Sequence, residues 1–459
     1  MRNSKYVWVF ALLTVFGLFA VYSTSIRKSF NQGSKVTIVQ NIDTVKAFDT
    51  LLSETIEQKT AQVVSSTGAQ ALLTPPIITG ENAQISTGVE HTQSGMVVIM
   101  PSEDLTKLEK DLSESKLVST KTKIIKTQDN YKYFSNQVRS LIIALILCVI
   151  VYFIPVSILQ NKKVIWAMII GVTAFQILVF VPALEARYGT ARGWIDIPLP
   201  NMQPSEFFKI GYIFFMAYWI SKRKEIIATT QFLTQFAVIN GAVFLVLLSI
   251  PDFGTIFILG ATATIMSRYY GLPIKKIILA SIAMVVLVIG SVIIGLFSSK
   301  YSYALIRLTT FMTTDSQQKL YQEQHEWQLK QIMAVGGFRG QGYGKGLQKM
   351  GALPEAHSDM IFDAFSEEIG LLGNLLLLGL YFGLFYNVIR GLEEIKDPYF
   401  KLVGIGLISL LIIQVFVHIG VNLILPNTGL TLPFVSHGGT ALMINFIQLT
   451  LIYKILVNK

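Results

Sequence analysis

Apolar runs close to the length that crosses a hydrocarbon core recur along this chain, separated by short polar connections. They fall near residues 6–22, 141–159, 164–184, 207–220, 236–250, 256–266, 277–297, 371–389, 402–425 and 441–457. Basic residues gather on alternate connections: Lys162 and Lys163; Lys222, Arg223 and Lys224; Arg268, Lys275 and Lys276; and Arg390, Lys396 and Lys401. Basic loops stay on the cytoplasmic side. The pattern therefore predicts an all-α polytopic membrane protein of about ten transmembrane helices, with both termini inside. The first run follows Arg2 and Lys5 and ends in Tyr22-Ser23-Thr24-Ser25 without a small-x-small cleavage site, so it reads as a helix and not as a signal peptide.

Two stretches interrupt the pattern. Residues 26–139 are polar and contain no span. Within them Lys35–Gln40 and Met96–Met100 read as strands, and Asp43–Lys59 and Ser102–Ser115 as helices. The run Met96–Met100 needs burial, which favours a small extracytoplasmic α/β insert over disorder. The second stretch, 298–361, is an outer loop of a length that is usually functional. It carries seven Lys/Arg against five acids, a mildly basic surface. Its segment Gly340-Gln341-Gly342-Tyr343-Gly344-Lys345-Gly346 is not a nucleotide loop, because Arg339 holds the first glycine position and Gly346 follows the lysine where Ser/Thr is required. The expected organisation is an N-terminal helix (1–25), the insert (26–139) and a transmembrane core (140–459).

Composition narrows the classes. With 52% hydrophobic and 14% charged residues and a mean hydropathy of +0.53, a soluble enzyme is excluded. The net charge of +10 follows from basic cytoplasmic loops and gives no reason to expect nucleic acid. Cys148 is the only cysteine and lies inside an apolar run, so disulfides play no part.

Candidate chemistry concentrates ahead of the run at 371–389, where Glu355, His357, Asp359, Asp363, Glu367 and Glu368 crowd together. If the segment is helical from Asp359 onward, Asp359, Asp363 and Glu367 share one face. Carboxylates stacked in that way repel, and draw water, a cation or a cationic ligand. An ordinary polar loop end fits equally well. Elsewhere, Pro204 with Glu206 is a helix start, and Pro251-Asp252-Phe253-Gly254 is a break at an outer bend. Pro426 to Gly439 is an extended hairpin, which at membrane depth requires protein or water to satisfy its backbone.

These motifs resemble those of the SEDS family (shape, elongation, division and sporulation), whose best known members are FtsW and RodA. The likeness rests on Pro354-Glu355-Ala356-His357-Ser358-Asp359 with Ile361-Phe362 and Glu367-Glu368-Ile369-Gly370, on Ala191-Arg192 to Gln203-Pro204-Ser205-Glu206 with Lys209, and on Pro251-Asp252 with Gly254-Thr255. It extends to Gly336-Gly337 with the glycines that follow, and to Thr428-Gly429-Leu430 through Pro433-Phe434 and Ser436. Departures are Met360 for phenylalanine, Asp363 for a small residue, Thr190 for glycine, Gly193 for arginine, Ile250 for glutamine and His437 for tyrosine. Gly429-Leu430-Thr431-Leu432-Pro433 leans toward FtsW.

The resemblance implies a glycosyltransferase that polymerises lipid II into peptidoglycan glycan strands at the outer face of the bacterial cytoplasmic membrane. Class B penicillin-binding proteins and other division or elongation proteins are the implied partners. It makes Asp359 the catalytic base, with Lys209, Arg192, Lys345, His357, Ser436 and Glu206 as substrate-binding candidates. A divalent cation (Mg or Mn) shared by Asp359, Asp363 and Asp252 is a further expectation; an organic cofactor is not expected. The resemblance does not extend to the insert. A lipid-precursor flippase and a non-catalytic cell-wall scaffold are the rival readings.

Overall fold

A computed structural model describes residues 4–31, 34–38, 89–92, 95–100, 123–125, 132–181, 184–188, 191–195, 202–248, 250, 252–279, 334–346, 357–423 and 429–458. The chain divides into two units, one of residues 1–25 with 132–459 and one of residues 26–131.

The smaller unit contains strands β1 (Ser34–Ile38), β2 (Val89–Thr92), β3 (Gly95–Met100) and β4 (Lys123–Ile125). They form an antiparallel sheet in the order β2-β3-β1-β4, with Val36 opposite Val98 and Ile124. The helices expected at 43–59 and 102–115 lie outside the described residues.

The larger unit is helical: α1 (Ser4–Asn31), α2 (Lys132–Phe153), α3 (Lys162–Ile177), α4 (Pro204–Ser221), α5 (Thr230–Leu248), α6 (Phe253–Tyr270), α7 (Ile361–Glu393), α8 (Pro398–Leu423) and α9 (Gly439–Val457). Six segments among the described residues are long and apolar enough to cross a membrane; they fall on α2, α3, α5, α7, α8 and α9. α4 has buried side chains on all faces, whereas α6 keeps one open stripe through Phe257, Ile265 and Arg268. The run expected at 277–297 lies outside the described residues beyond Leu279. β5 (Glu185–Tyr188) pairs antiparallel with β6 (Ala191–Ile195).

Local chemistry sets the helix ends. Pro204 opens α4, where its missing N–H costs nothing. Asp252 caps α6, its Oδ1 accepting from the Thr255 N–H at 3.0 Å. Asn161 caps α3 through the Lys163 N–H. α2 packs along α9 and is fixed at both ends. At one end Lys454 Nζ donates to the carbonyls of Val151, Tyr152 and Ile154, at the C-terminal end of α2 just before Pro155. At the other, Gln137 reaches the hairpin that precedes α9.

The decisive local feature is a break in α7. Gly370 sits at φ +64°, ψ −168°, splitting the helix into Ile361–Ile369 and a longer second half. The backbone groups freed there are taken by the glycine-rich loop 336–342. Gln341 and Gly342 donate to the carbonyls of Glu367 and Glu368, while Leu371 and Leu372 donate to those of Gly337 and Phe338, all at 3.0–3.1 Å. Such irregular backbone is admissible at membrane depth only where protein satisfies it. The approach is so close that a Cβ on Gly340 would lie 2.1 Å from the Glu368 carbonyl oxygen. Asn374 spans the break, donating to Ser366 Oγ at 2.9 Å. The two glycine motifs noticed in the sequence are thus backbone complements of each other.

Candidate functional site

Asp359 lies in the turn 357–360, ahead of α7, whose N-cap is Met360. The expected single face of Asp359, Asp363 and Glu367 is therefore not one helical stripe, because Asp359 precedes the helix. Asp359 is partly exposed, whereas Asp363, Glu367 and Glu368 are buried. The sequence suggested carboxylates reaching for water; the fold turns three of them inward.

Three elements hold the Asp359 turn. From α8, Asn422 Nδ2 donates to the Asp359 carbonyl at 3.0 Å, and Asn422 Oδ1 accepts from the Asp363 N–H at 3.3 Å. From the hairpin, the His437 N–H donates to the His357 carbonyl at 2.9 Å and Ser436 Oγ donates to that of Ser358 at 2.8 Å. From α2, the Tyr133 ring lies 3.9 Å from the His357 ring and 5.3 Å from that of His437. Gly429, at φ +68°, lies beside the carboxylate: a Cβ there would come 3.8 Å from Asp359 Oδ2.

Side chains from α2, α7 and α8 hold four carbonyls of the hairpin 429–438. His418 Nδ1 bonds that of Leu430 at 2.6 Å, Gln414 Nε2 that of Thr431 at 3.1 Å, and Tyr381 Oη that of Pro433 at 2.5 Å. Gln137 Nε2 takes that of Ser436 at 3.1 Å, and its Oε1 accepts from the Gly438 N–H at 3.3 Å. Phe434 is the only non-glycine at positive φ (+67°) among the described residues, a strain this dense pairing sustains. Burial holds the His437 imidazole down at about 4, so it is neutral at physiological pH.

The other expected site residues are spread over several roles. Ser436 Oγ is spent on backbone, accepting from the Leu432 N–H at 2.7 Å while donating to Ser358. Lys209 has no exposed surface and pairs with Glu206 Oε1 at 2.7 Å within α4. Lys345 is exposed on the glycine-rich loop. Glu368 Oε2 accepts from Ser23 Oγ of α1 at 2.6 Å and from the Gly344 N–H at 3.0 Å, which anchors that loop. Arg192 lies on β6, and Glu355 is outside the described residues. Asp252 is engaged in its cap, and both Asp363 carboxylate oxygens are buried without a hydrogen-bond partner. No three His, Cys, Asp or Glu side chains converge among the described residues, so the expected Mg or Mn ion finds no protein ligand set there.

Sequence reasoning missed Gln137, Gln414, His418 and Asn422. The last three recur at i, i+4 and i+8 in the most apolar span, a polar stripe on one face of α8 that was available as a signal.

The sequence profile of the FtsW, RodA and SpoVE cell cycle proteins matches residues 115–459. A protein of Alcanivorax borkumensis named "probable peptidoglycan glycosyltransferase FtsW" is 32% identical over 312 residues, 66% of this chain and 78% of its own. Its namesake in Saccharophagus degradans is 30% identical over 338 residues, 71% of this chain and 84% of its own. Among solved structures, a chain of a peptidoglycan synthase complex that coordinates polymerization and crosslinking aligns with TM-score 0.58 at 23% identity, covering 71% of this chain and 90% of that one. The rod shape determining protein RodA of Thermus thermophilus aligns with TM-score 0.52 at 21% identity, over 71% and 88%.

Proposed function

Since the chain belongs to the FtsW, RodA and SpoVE family of cell cycle proteins, we propose that it is a peptidoglycan glycosyltransferase, closer to FtsW, which polymerises lipid II at the outer face of the bacterial cytoplasmic membrane. The observation that carries this reading is the Asp359 turn. Its backbone is fixed from α8 and the hairpin, while Asp359 stays partly exposed beside a glycine. A general base needs that combination: a rigid mount and room for the incoming hydroxyl.

In the reaction, Asp359 removes the proton from one sugar's 4-hydroxyl as that oxygen attacks the anomeric carbon of another lipid-linked sugar. The bond to the diphosphate breaks, and undecaprenyl pyrophosphate leaves with its negative charge. Lys345, an exposed cation on the glycine-rich loop, suits that charge. Lys209 is committed to Glu206 and serves this proposal only as a support of α4. A Mg or Mn ion would enter with the diphosphate, for the reason of ligand geometry given above.

Both termini are cytoplasmic in this reading, and a class B penicillin-binding protein crosslinks the strands produced. The test is lipid II polymerisation by the purified protein, with and without such a partner, read as glycan chains on a gel. Asp359→Asn should abolish chains while the protein stays monodisperse and folded. Chains from Asp359→Asn equal to wild type would remove Asp359 as the base, and no chains from wild type with its partner would favour the scaffold.

A further inference from the structure

The reaction needs Asp359, and the turn that carries it is held by contacts from outside α7. Following the contacts outward leads from Asp359 to His357 and Ser358, from these to Ser436 and His437, and from the hairpin to Gln137 and Tyr133. Gln137 is 1% exposed and uses both ends of its amide, donating to the Ser436 carbonyl and accepting from the Gly438 N–H. Tyr133, one turn earlier on the same face of α2, closes a three-ring cluster with His357 and His437, rings 5.3 Å apart from each other. We infer that Gln137 and Tyr133 are positioning residues that set the Asp359 carboxylate for proton abstraction by bracing the hairpin and the turn together.

This inference rests on Asp359 being the base. Neither residue touches the reacting atoms; each acts through the backbone it holds. An amide is the required group at 137 because the site presents one acceptor and one donor. A leucine satisfies neither and strands both in a buried place. A glutamate in its carboxylate form accepts from Gly438 but repels the Ser436 carbonyl. Protonated, it donates and accepts as glutamine does. α2 starts at Lys132, directly after the insert unit ends at Tyr131, so the bracing helix is also the insert's tether.

The experiment is steady-state polymerisation of lipid II by the full-length protein across pH. Gln137→Leu should lower kcat between about tenfold and a hundredfold, the cost of a small misplacement, with KM within about twofold of wild type. For Gln137→Glu the rate relative to wild type should rise as pH falls through the carboxyl's titration, while that of Gln137→Leu stays flat. Tyr133→Phe should retain the rate that Tyr133→Ala loses. A kcat for Gln137→Leu equal to wild type, or a loss confined to KM, overturns the brace. Should Gln137→Leu fail to fold, the pH series of Gln137→Glu alone decides: a flat ratio overturns it. Amide hydrogen exchange at residues 357–360 and 436–438 separates this inference from the assignment of the base. Faster exchange in Gln137→Leu together with an active Asp359→Asn would sink the base and keep the brace; unchanged exchange would sink the brace alone.

Discussion

A lysine with no exposed surface, one turn from a glutamate inside a helix bundle, is tolerable only while the two neutralise each other. Lys209 and Glu206 meet that condition at 2.7 Å. Lys209→Met should destabilise the protein by about 3–5 kcal/mol, because Glu206 is left charged and buried. The double variant Glu206→Gln/Lys209→Met should recover most of that loss, measured as thermal unfolding in detergent; additive losses would mean the pair is not the stabilising unit. His437 gives a pH signature of the opposite kind. Its folded value near 4 lies below the ordinary 6.5, so the unfolded chain binds the extra proton between those limits. Its contribution is complete above about pH 6.5 and is lost as pH falls toward 4. His437→Gln should flatten the stability loss over that interval, and an unchanged slope would place the acid sensitivity elsewhere. At this scale the sequence revealed residue types better than their commitments. The resemblance named Lys209 and Ser436 as substrate-binding candidates, whereas the structure pairs the one within its helix and spends the other on two backbone groups.

At the scale of elements, α7 and the loop 336–342 form one object. The helix is readable in the sequence from its apolar run, and the loop from its glycines, yet periodicity carries no information about a break whose partner lies about 30 residues away. The reason glycine is needed is steric as well as conformational. Gly340 (φ +77°) and Gly370 (φ +64°) face each other, and a Cβ on Gly370 would stand 2.2 Å from the Gly340 nitrogen. Gly340→Ala should therefore cost more than the roughly 1 kcal/mol of an ordinary loop replacement. It should also undock the loop, so that trypsin cleaves at Arg339 or Lys345 in folded protein. Resistance equal to wild type would show that the backbone yields without releasing the loop. The hairpin before α9 was legible as a hairpin from Pro426 and Gly429, whereas its anchors on α2, α7 and α8 were not.

For the whole molecule, the alternation of basic loops and apolar runs was enough to read a polytopic helical protein, because that pattern is imposed by the bilayer and not by packing. The insert was legible as a departure, since residues 26–131 contain no apolar run long enough to cross a membrane. Deleting residues 30–132 and joining the ends with a short Gly/Ser linker should leave a folded core, as loop closure costs grow slowly with length. It should leave polymer synthesis in place as well. A folded but inactive deletion would make the insert part of the machinery. The braces around Asp359 also dictate an order of birth. A ribosome releases α2 early, the glycine-rich loop next, then α7 with the Asp359 turn, and the hairpin with α9 last. When α7 enters the membrane its loop partner is already made, so its broken backbone can be satisfied at once. The carboxylate must wait for Ser436, His437 and Gln137 to meet. If Asp359 is the proposed base, chains stalled before α9 inserts would carry that acid unbraced and be inert, so half-made enzyme would not consume lipid-linked precursors.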